Sequence, residues 1–206
     1  MPLNDNLEEQ AYTIYKTLFD AENLIQGTIS DLAINIVCGK TPSTKEISNF
    51  VGDIPFITIP DMHGNVFAIS TERNLSLQAA TNAIPANSVC VSCIASAGLV
   101  VLTDTISQTN QQINSIVCKK NISPYYVYFK MKELSDYIKQ IGSCGSTTCN
   151  LSKAGFSNIE IQIPQTDVQS VYTRSVEPIF DAIKSNQKEI IMIGNARSIL
   201  LSRLSN

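Results

Sequence analysis

The sequence predicts an α/β (α+β) body of short strands, mixed or antiparallel, that carries a long C-terminal helix. Three observations predict it. Between residues 55 and 118, short β-branched runs alternate apolar and polar positions and are cut by Gly, Pro, Asn and Asp, the pattern of half-buried strands. Near the end, Val176, Ile179, Ile183, Asn186, Ile190, Ile193, Arg197, Leu200 and Leu204 step by three and four without a slip, the heptad stripe of a helix that lies along another helix. That stripe spans about 40 Å at ~1.5 Å per residue, more than a small domain needs, so the helix is expected to hold a second body at a fixed distance. Finally, 206 residues, 44% of them hydrophobic, suffice for one sizeable domain plus an extension.

The elements follow in order. Leu7, Ala11, Ile14 and Leu18 recur at helical spacing, with Tyr15 and Phe19 beside them, so residues 6–20 read as a helix able to pack on the C-terminal stripe or on a partner. Residues 28–37 begin the body as a short helix or a strand. Gly39–Thr44 (GKTPST) is a loop by its Gly, Pro and hydroxyl content. Strands are expected over Pro55–Ile59, Val66–Ile69, Ser88–Ile94, Leu99–Leu102 and Gln112–Cys118, then one helix over Tyr125–Ile141 that stops at Gly142. Ser143–Asn150 is a small polar loop, and Ile159–Ile163 a strand stopped by Pro164. Thr166 and Gln169 fit a capping box for the last helix, and Pro178 predicts a kink or break near Glu177. No internal repeat or low-complexity stretch is visible.

Several chemistries lack their residues. The sequence has no GxGxxG or GxxxxGK[ST] phosphate loop, no HExxH metal helix and no methyl-donor motif. Its single histidine, His63, precedes Gly64 in a turn and reads as a surface residue; no nucleophile elbow accompanies it. Cys90 with Cys93 and Cys144 with Cys149 could be zinc thiolates. However, the first pair lies in an alternating strand that sends the two side chains to opposite faces, so buried, reduced thiols are expected for the six cysteines. No metal or cofactor is expected, nor catalysis by this chain. No apolar run reaches the ~18 residues of a membrane span, and the acidic start MPLNDNLEEQ has no signal-peptide pattern. A cytoplasmic protein without membrane contact is expected.

Net charge is −3 and the pI about 5.2, which alone argues against nucleic acid. The distribution is uneven. Residues 1–31 hold six acids against Lys16, while residues 119–153 hold Lys119, Lys120, Lys130, Lys132, Lys139 and Lys153 against two acids.

GKTPST, GDIPFITIPDM (Gly52–Met62), NQQI (Asn110–Ile113) and GSCGSTTCNLS (Gly142–Ser152), running on to Ile163–Pro164, resemble in order and spacing the target-recognition domain of type I restriction–modification specificity subunits. Asn186, Glu189, Arg197 and LLSRL (Leu200–Leu204) resemble that family's conserved-region helix, and LEEQAYTIYKTLFDA the helix leading into such a domain. The resemblance covers nearly the whole chain. It implies an N-terminal helical segment (1–27), a target-recognition domain (28–164) and a long helix for dimerisation and partner docking (165–206). The usual subunit has two recognition domains, so this chain resembles a half-size form. Relatives carry a more glycine-rich turn at Ile94–Gly98 (IASAG).

DNA binding needs phosphate contacts for affinity and base-edge contacts for sequence. Candidates are Ser43, Thr44 and Lys45 in the first hydroxyl-rich loop and Ser143, Ser146, Thr147 and Thr148 in the second. The alternatives are a plain turn with a solvated lysine, and a structural turn with Ser152 capping a helix. Thr58 and Asp61 are candidates, with Asp61 either capping a turn or accepting from a cytosine amino group. Ser96 sits in a tight turn. Gln108, Asn110, Gln111 and Gln112 offer amides that suit adenine, or simply solubilise a loop. Lys153, Lys119, Lys120, Lys130 and Lys132 either attract phosphates or form a solvated face. Asn186 and Arg197 interrupt the helical stripe, as polar core residues that fix register do, or mark where the stripe turns toward solvent.

The expected function is a non-enzymatic DNA sequence-recognition subunit. The resemblance implies as partners double-stranded DNA, the modification (methyltransferase) subunits, the restriction subunit, and a second copy or another half-size chain, which together read a bipartite site. A stand-alone DNA-binding dimer or regulator, or a helix-mediated protein-interaction module, is the alternative.

Overall fold

The computed structural model describes residues 2–19, 24–143, 150–164 and 166–204. The chain opens with α1 (Pro2–Phe19), β1 (Leu24–Thr28), α2 (Ile29–Leu32) and β2 (Ala33–Cys38). A 3-10 turn (Ile47–Phe50) leads to β3 (Ile54–Ile57), α3 (Ile59–Met62), β4 (Phe67–Ala68) and β5 (Asn74–Leu75). Next come β6 (Val89–Ser92), β7 (Val100–Thr103), β8 (Gln108–Thr109) and β9 (Ile113–Cys118). The chain closes with α4 (Pro124–Glu133), α5 (Ser135–Gly142), α6 (Lys153–Ser157), β10 (Glu160–Pro164) and α7 (Thr166–Leu204).

A five-stranded sheet, ordered β2-β9-β6-β7-β4, forms the centre. It is antiparallel except where β4 runs parallel to β7. VCVS of β6 and VVLT of β7 are buried at every position, so both faces of this sheet are covered. Val89, Val91, Val100, Leu102 and Ile116 face the aromatic residues of α1, α4 and α7. Cys90, Val101 and Ile113 face the other way, against Ile57, Met62 and Ile84. Behind them lies a small sheet, β5-β3-β8, and β1 with β10 forms a separate two-stranded ribbon. Cys90 and Cys93 do lie on opposite faces. Burial pushes the Cys90 thiol up to about 12, and Cys144 and Cys149 lie outside the described residues.

α1 and α7 pack together and run antiparallel: Asn4 meets Asn186, and Tyr15 and Phe19 meet Tyr172. Tyr15, Phe19, Tyr126, Phe129 and Phe180 join them in one aromatic cluster with ring centroids 4.7–5.9 Å apart along its contacts. One hydrophobic cluster therefore runs from α1 through the sheet to α7.

Two local expectations need correction. Tyr125–Ile141 is two helices, not one. The chain turns at Leu134, and the Ser135 hydroxyl donates to the Gly98 carbonyl (2.9 Å), which ties α5 to the β6–β7 turn. Pro178 does not break the last helix, which runs 39 residues without interruption. A proline inside a helix costs about 3 kcal/mol, and the fully buried Val176 and Phe180 flanking it hold the helix against the core. The Gln169 side-chain carbonyl accepts from the Ser123 amide (3.0 Å) of the α4 cap; the Thr166 side chain, the other half of the expected capping box, lies outside the described residues.

Candidate nucleic-acid interface

Strand direction decides where the loops go. Cys38, which ends β2, lies opposite Asn114, and Ser92, which ends β6, lies opposite Ile113 at the start of β9. Val100 at the start of β7 faces Val91. The segments 39–45, 93–99 and 110–112 therefore leave the same end of the central sheet. β3 is parallel to β8, and the Asn110 amide donates to the Ile57 carbonyl (3.1 Å), which brings Thr58 and α3 to that end as well. The flanks of the second hydroxyl-rich loop join them: Ile94 bridges Asn150, and the Leu151 amide donates to the Cys93 carbonyl (3.0 Å).

The first loop is locked to the amide-rich turn. Gly39 donates to the Ile113 carbonyl (3.0 Å) and Lys40 to the Thr109 carbonyl (2.9 Å). A Cβ on Gly39 would stand 2.0 Å from the Asn110 carbonyl, so only glycine fits this close approach. The Thr41 hydroxyl donates to the Gln111 side chain (2.6 Å). Ser43, Thr44 and Lys45 then project as an exposed tip, supported where the Ser43 carbonyl accepts from the Asn49 amide group (3.0 Å). Gln111 is exposed beside them, and Gln112 is half-buried.

Gln108 has a different place from the one expected. It is fully buried; its carbonyl accepts from the Asn82 amide (2.7 Å) and its amino group donates to the Lys40 carbonyl (2.7 Å). With both ends engaged inside the protein, it supports the loops and presents nothing to a base. Asn110 is buried as well and bonds Gln112 twice (3.0 Å each).

Asp61 takes the capping alternative. One carboxylate oxygen accepts from the Thr58 amide (2.8 Å) and hydroxyl (2.7 Å), and the other from the Glu72 amide (3.1 Å). Thr28 and Asp31 make the same arrangement at the start of α2, with bonds of 2.8 and 3.0 Å; those bonds to Thr28 hold the Asp31 carboxyl below its usual range. The two five-residue segments Thr28–Leu32 and Thr58–Met62 thus repeat one local device, which periodicity alone did not expose. His63 follows α3 as an exposed residue.

Ser96 is exposed in a turn with Ala95 at φ 61° and Gly98 at φ 89°. Its carbonyl accepts from the Ser92 hydroxyl (2.6 Å). Alanine in this left-handed region is strained by about 1 kcal/mol, which glycine avoids. Ser143 ends α5 and is exposed, while Ser146, Thr147 and Thr148 lie outside the described residues. Lys153 opens α6, whose cap Ser152 accepts from the Gly155 amide (3.1 Å). Together with Cys38 and Asn82 it lines a groove of about 390 Å³ along β2.

Three of the six lysines of the basic segment pair with acids. Lys132 pairs with Glu8, Lys130 with Glu133 (3.5 Å) and Lys139 with Asp136 (2.9 Å). The acid-rich N-terminus and the lysine-rich segment are two sides of one helix contact. Lys119 and Lys120 follow β9, at the opposite end of the sheet from the loops. Exposed cations at the loop end include Lys40 and Lys45. Thr41 and Asn82, which the sequence did not single out, are among the groups that fix the loops; neither sits in a motif that marks it.

On α7, Val176 and Ile183 are buried, and Ile179 and Asn186 are half-buried. Ile190, Ile193, Arg197, Leu200 and Leu204 are exposed. Tyr172, Phe180 and Gln187 complete the buried face instead.

The family described as the type I restriction modification DNA specificity domain matches residues 22–194. The chain belongs to this family. The specificity domain is also similar to curated relatives. It is 42% identical over 184 residues to the type I restriction enzyme HindI specificity subunit of Haemophilus influenzae, covering 86% of this chain and 40% of that protein. It is 30% identical over 159 residues to the MjaIX specificity subunit of Methanocaldococcus jannaschii, covering 73% and 37%. The chain thus spans about 40% of the length of the curated relatives it matches. Two solved structures share the fold. The S subunit from M. genitalium has a TM-score of 0.67 at 15% identity, covering 97% of this chain and 53% of that one. The HsdS subunit from Thermoanaerobacter tengcongensis has a TM-score of 0.60 at 12% identity, covering 91% and 46%. Among the described residues, no helix is long and apolar enough to cross a membrane.

Proposed function

We propose that this specificity domain reads one half of a bipartite DNA site and directs type I methyltransferase and restriction subunits to it, without catalysing a reaction itself. The observation that carries this reading is the convergence of the 39–45, 94–98, 110–112 and 58–62 segments at one end of a doubly covered sheet. Exposed hydroxyls, an amide and two lysines stand on a frame tied by main-chain bonds and by the buried Gln108 side chain, which leaves them to meet phosphates and base edges. Ser43, Thr44, Lys45, Ser96 and Gln111 are the proposed contacts at that end, with Ser143, Ser146, Thr147 and Thr148 from the adjoining loop. Lys153 reaches the flank through the β2 groove. Residues 28–164 act as the recognition unit, and the exposed stripe from Ile190 to Leu204 pairs with a second copy, so that two half-sites are read across a fixed gap. The work is done on DNA in the cytoplasm.

The test is a methylome. The chain is co-expressed with a type I modification subunit and modified bases are mapped by single-molecule sequencing. A gapped motif with inverted half-sites is expected. No new motif, with this chain alone or with a second half-size chain, would overturn the proposal.

A further inference from the structure

β4 is the short edge strand of the central sheet, and its outer side is closed by a side chain instead of a strand. Its pairing with β7 uses neighbours of Phe67, as when the Leu102 amide donates to the Val66 carbonyl (2.8 Å). The amide and carbonyl of Phe67 therefore point outward. Gln187 of α7 takes both: its carbonyl accepts from the Phe67 amide (3.1 Å) and its amino group donates to the Phe67 carbonyl (3.3 Å). A carboxamide bonded to both main-chain groups of one residue stands in for a missing β-strand. The same amino group also donates to the Asn65 side chain (3.0 Å), in the segment that leads from α3 into β4. Lys184 and Lys188, one turn apart on the same helix, bracket Asp104 (3.6 and 2.8 Å), just beyond β7, and Lys184 lies 4.7 Å from the centre of the Phe67 ring.

From this geometry we infer that Gln187 is a positioning residue that fixes the angle between the recognition sheet and the outgoing half of α7, and so sets the spacing between two half-sites. The inference rests on the DNA-reading function proposed above. After Gln187 the helix leaves the body, and its side chains are exposed from Met192 to Leu204. From Gln187 to Leu204 the helix is about 25 Å long at ~1.5 Å per residue, so a tilt of about 10° at the joint moves its tip by about 4.5 Å. One base-pair step is about 3.4 Å, so a loose joint changes which spacer fits. The joint is made of directional bonds in a buried setting (Gln187 is 8% exposed). Such bonds define an angle more sharply than aliphatic packing does.

The experiment compares the full chain with Gln187→Leu, each co-expressed with the modification subunit, on a plasmid library that carries the two half-sites at spacers from two shorter to two longer than the wild-type gap. Amide hydrogen exchange at Phe67 reports whether the clamp has opened. The wild type is expected to methylate one spacer. The variant is expected to keep the half-site letters while its preference for that spacer over the neighbouring lengths falls by about tenfold. A variant whose Phe67 amide exchanges faster yet keeps a single spacer overturns the inference. So does one that loses the half-site letters, because Gln187 would then belong to reading and not to spacing. A wild type without any gapped motif overturns the functional proposal itself, and the inference with it. Should Gln187→Leu fail to fold, Gln187→Glu keeps the length of the side chain and the acceptor for the Phe67 amide but removes the donor to the Phe67 carbonyl; an unchanged spacer preference in that variant overturns the inference.

Discussion

The inner and outer halves of α7 carry the same heptad pattern and meet opposite surroundings. In the inner half, Tyr172, Val176, Phe180 and Ile183 are fully buried. They pack on α1 and α4, where the Phe180 ring stacks on Tyr125 with centroids 4.2 Å apart. In the outer half, Ile193, Leu200 and Leu204 are 61%, 60% and 84% exposed. The difference teaches that a regular apolar period marks a surface to be covered and leaves open what covers it. The inner half is covered by its own body, and its buried stripe has shifted by a residue at Phe180 to meet the aromatic rings. The outer half keeps the stripe as written and needs another surface.

Substitutions separate the two halves. The largest effect is expected at Phe180→Ala, which empties the aromatic cluster and should cost about 3–5 kcal/mol in urea unfolding. A cost under about 1 kcal/mol would mean that the inner half is no part of the core. Alkali should attack the same half. The Tyr125 phenol is pushed up to about 12 by burial and by Glu177 and Asp181. Burial and the Glu133 carboxylate, at 2.8 Å, raise Tyr15 as well. A raised phenol favours the native state in its protonated form. That stabilisation is intact below the unfolded value near pH 10 and is lost as pH rises from there toward 12. Phenolate absorbance amounting to all seven tyrosines near pH 10, with circular dichroism still native, would contradict this packing.

A smaller and opposite effect is expected at Tyr172→Phe. The Tyr172 hydroxyl is buried without a hydrogen-bond partner among the described residues, so its removal should raise stability by about 1 kcal/mol. A loss in the denaturation midpoint would reveal a bond to that oxygen. The smallest effect on folding belongs to the outer half. Leu200→Ala with Leu204→Ala should change the stability of the dilute chain by less than about 0.5 kcal/mol while weakening self-association in sedimentation. If the double variant unfolds the chain and leaves association untouched, the outer half packs inward.

Much of the fold was legible because burial follows short-range pattern. Ile113–Cys118 and Val100–Thr103 form strands almost where alternation and β-branching place them. β5 and β8 escaped because two residues carry no period, and their pairing is set by β3. The split at Leu134 depends on a contact between Ser135 and Gly98, far apart in sequence. The site was legible as a set of loops, and strand direction brings those loops together at one end. The roles inside it were not legible. Gln108 and Gln111 look alike in sequence, yet one is buried with both ends bonded and the other is exposed. The charge pattern misled for a related reason: Glu8 and Lys132 are distant in the chain and adjacent in space.

The junction of Gly39 with the Thr109–Gln112 turn has a consequence for how such a domain changes over generations. Main-chain bonds and the buried amide of Gln108 hold the junction, while the exposed side chains of residues 43–45 and 111 contribute little to it beyond the Thr41–Gln111 bond. Mutations at the tip therefore spend almost none of the fold's stability, since exposed substitutions shift it by only about 0.5 kcal/mol. A lineage can then try new surface letters one at a time, each on a mount that stays the same.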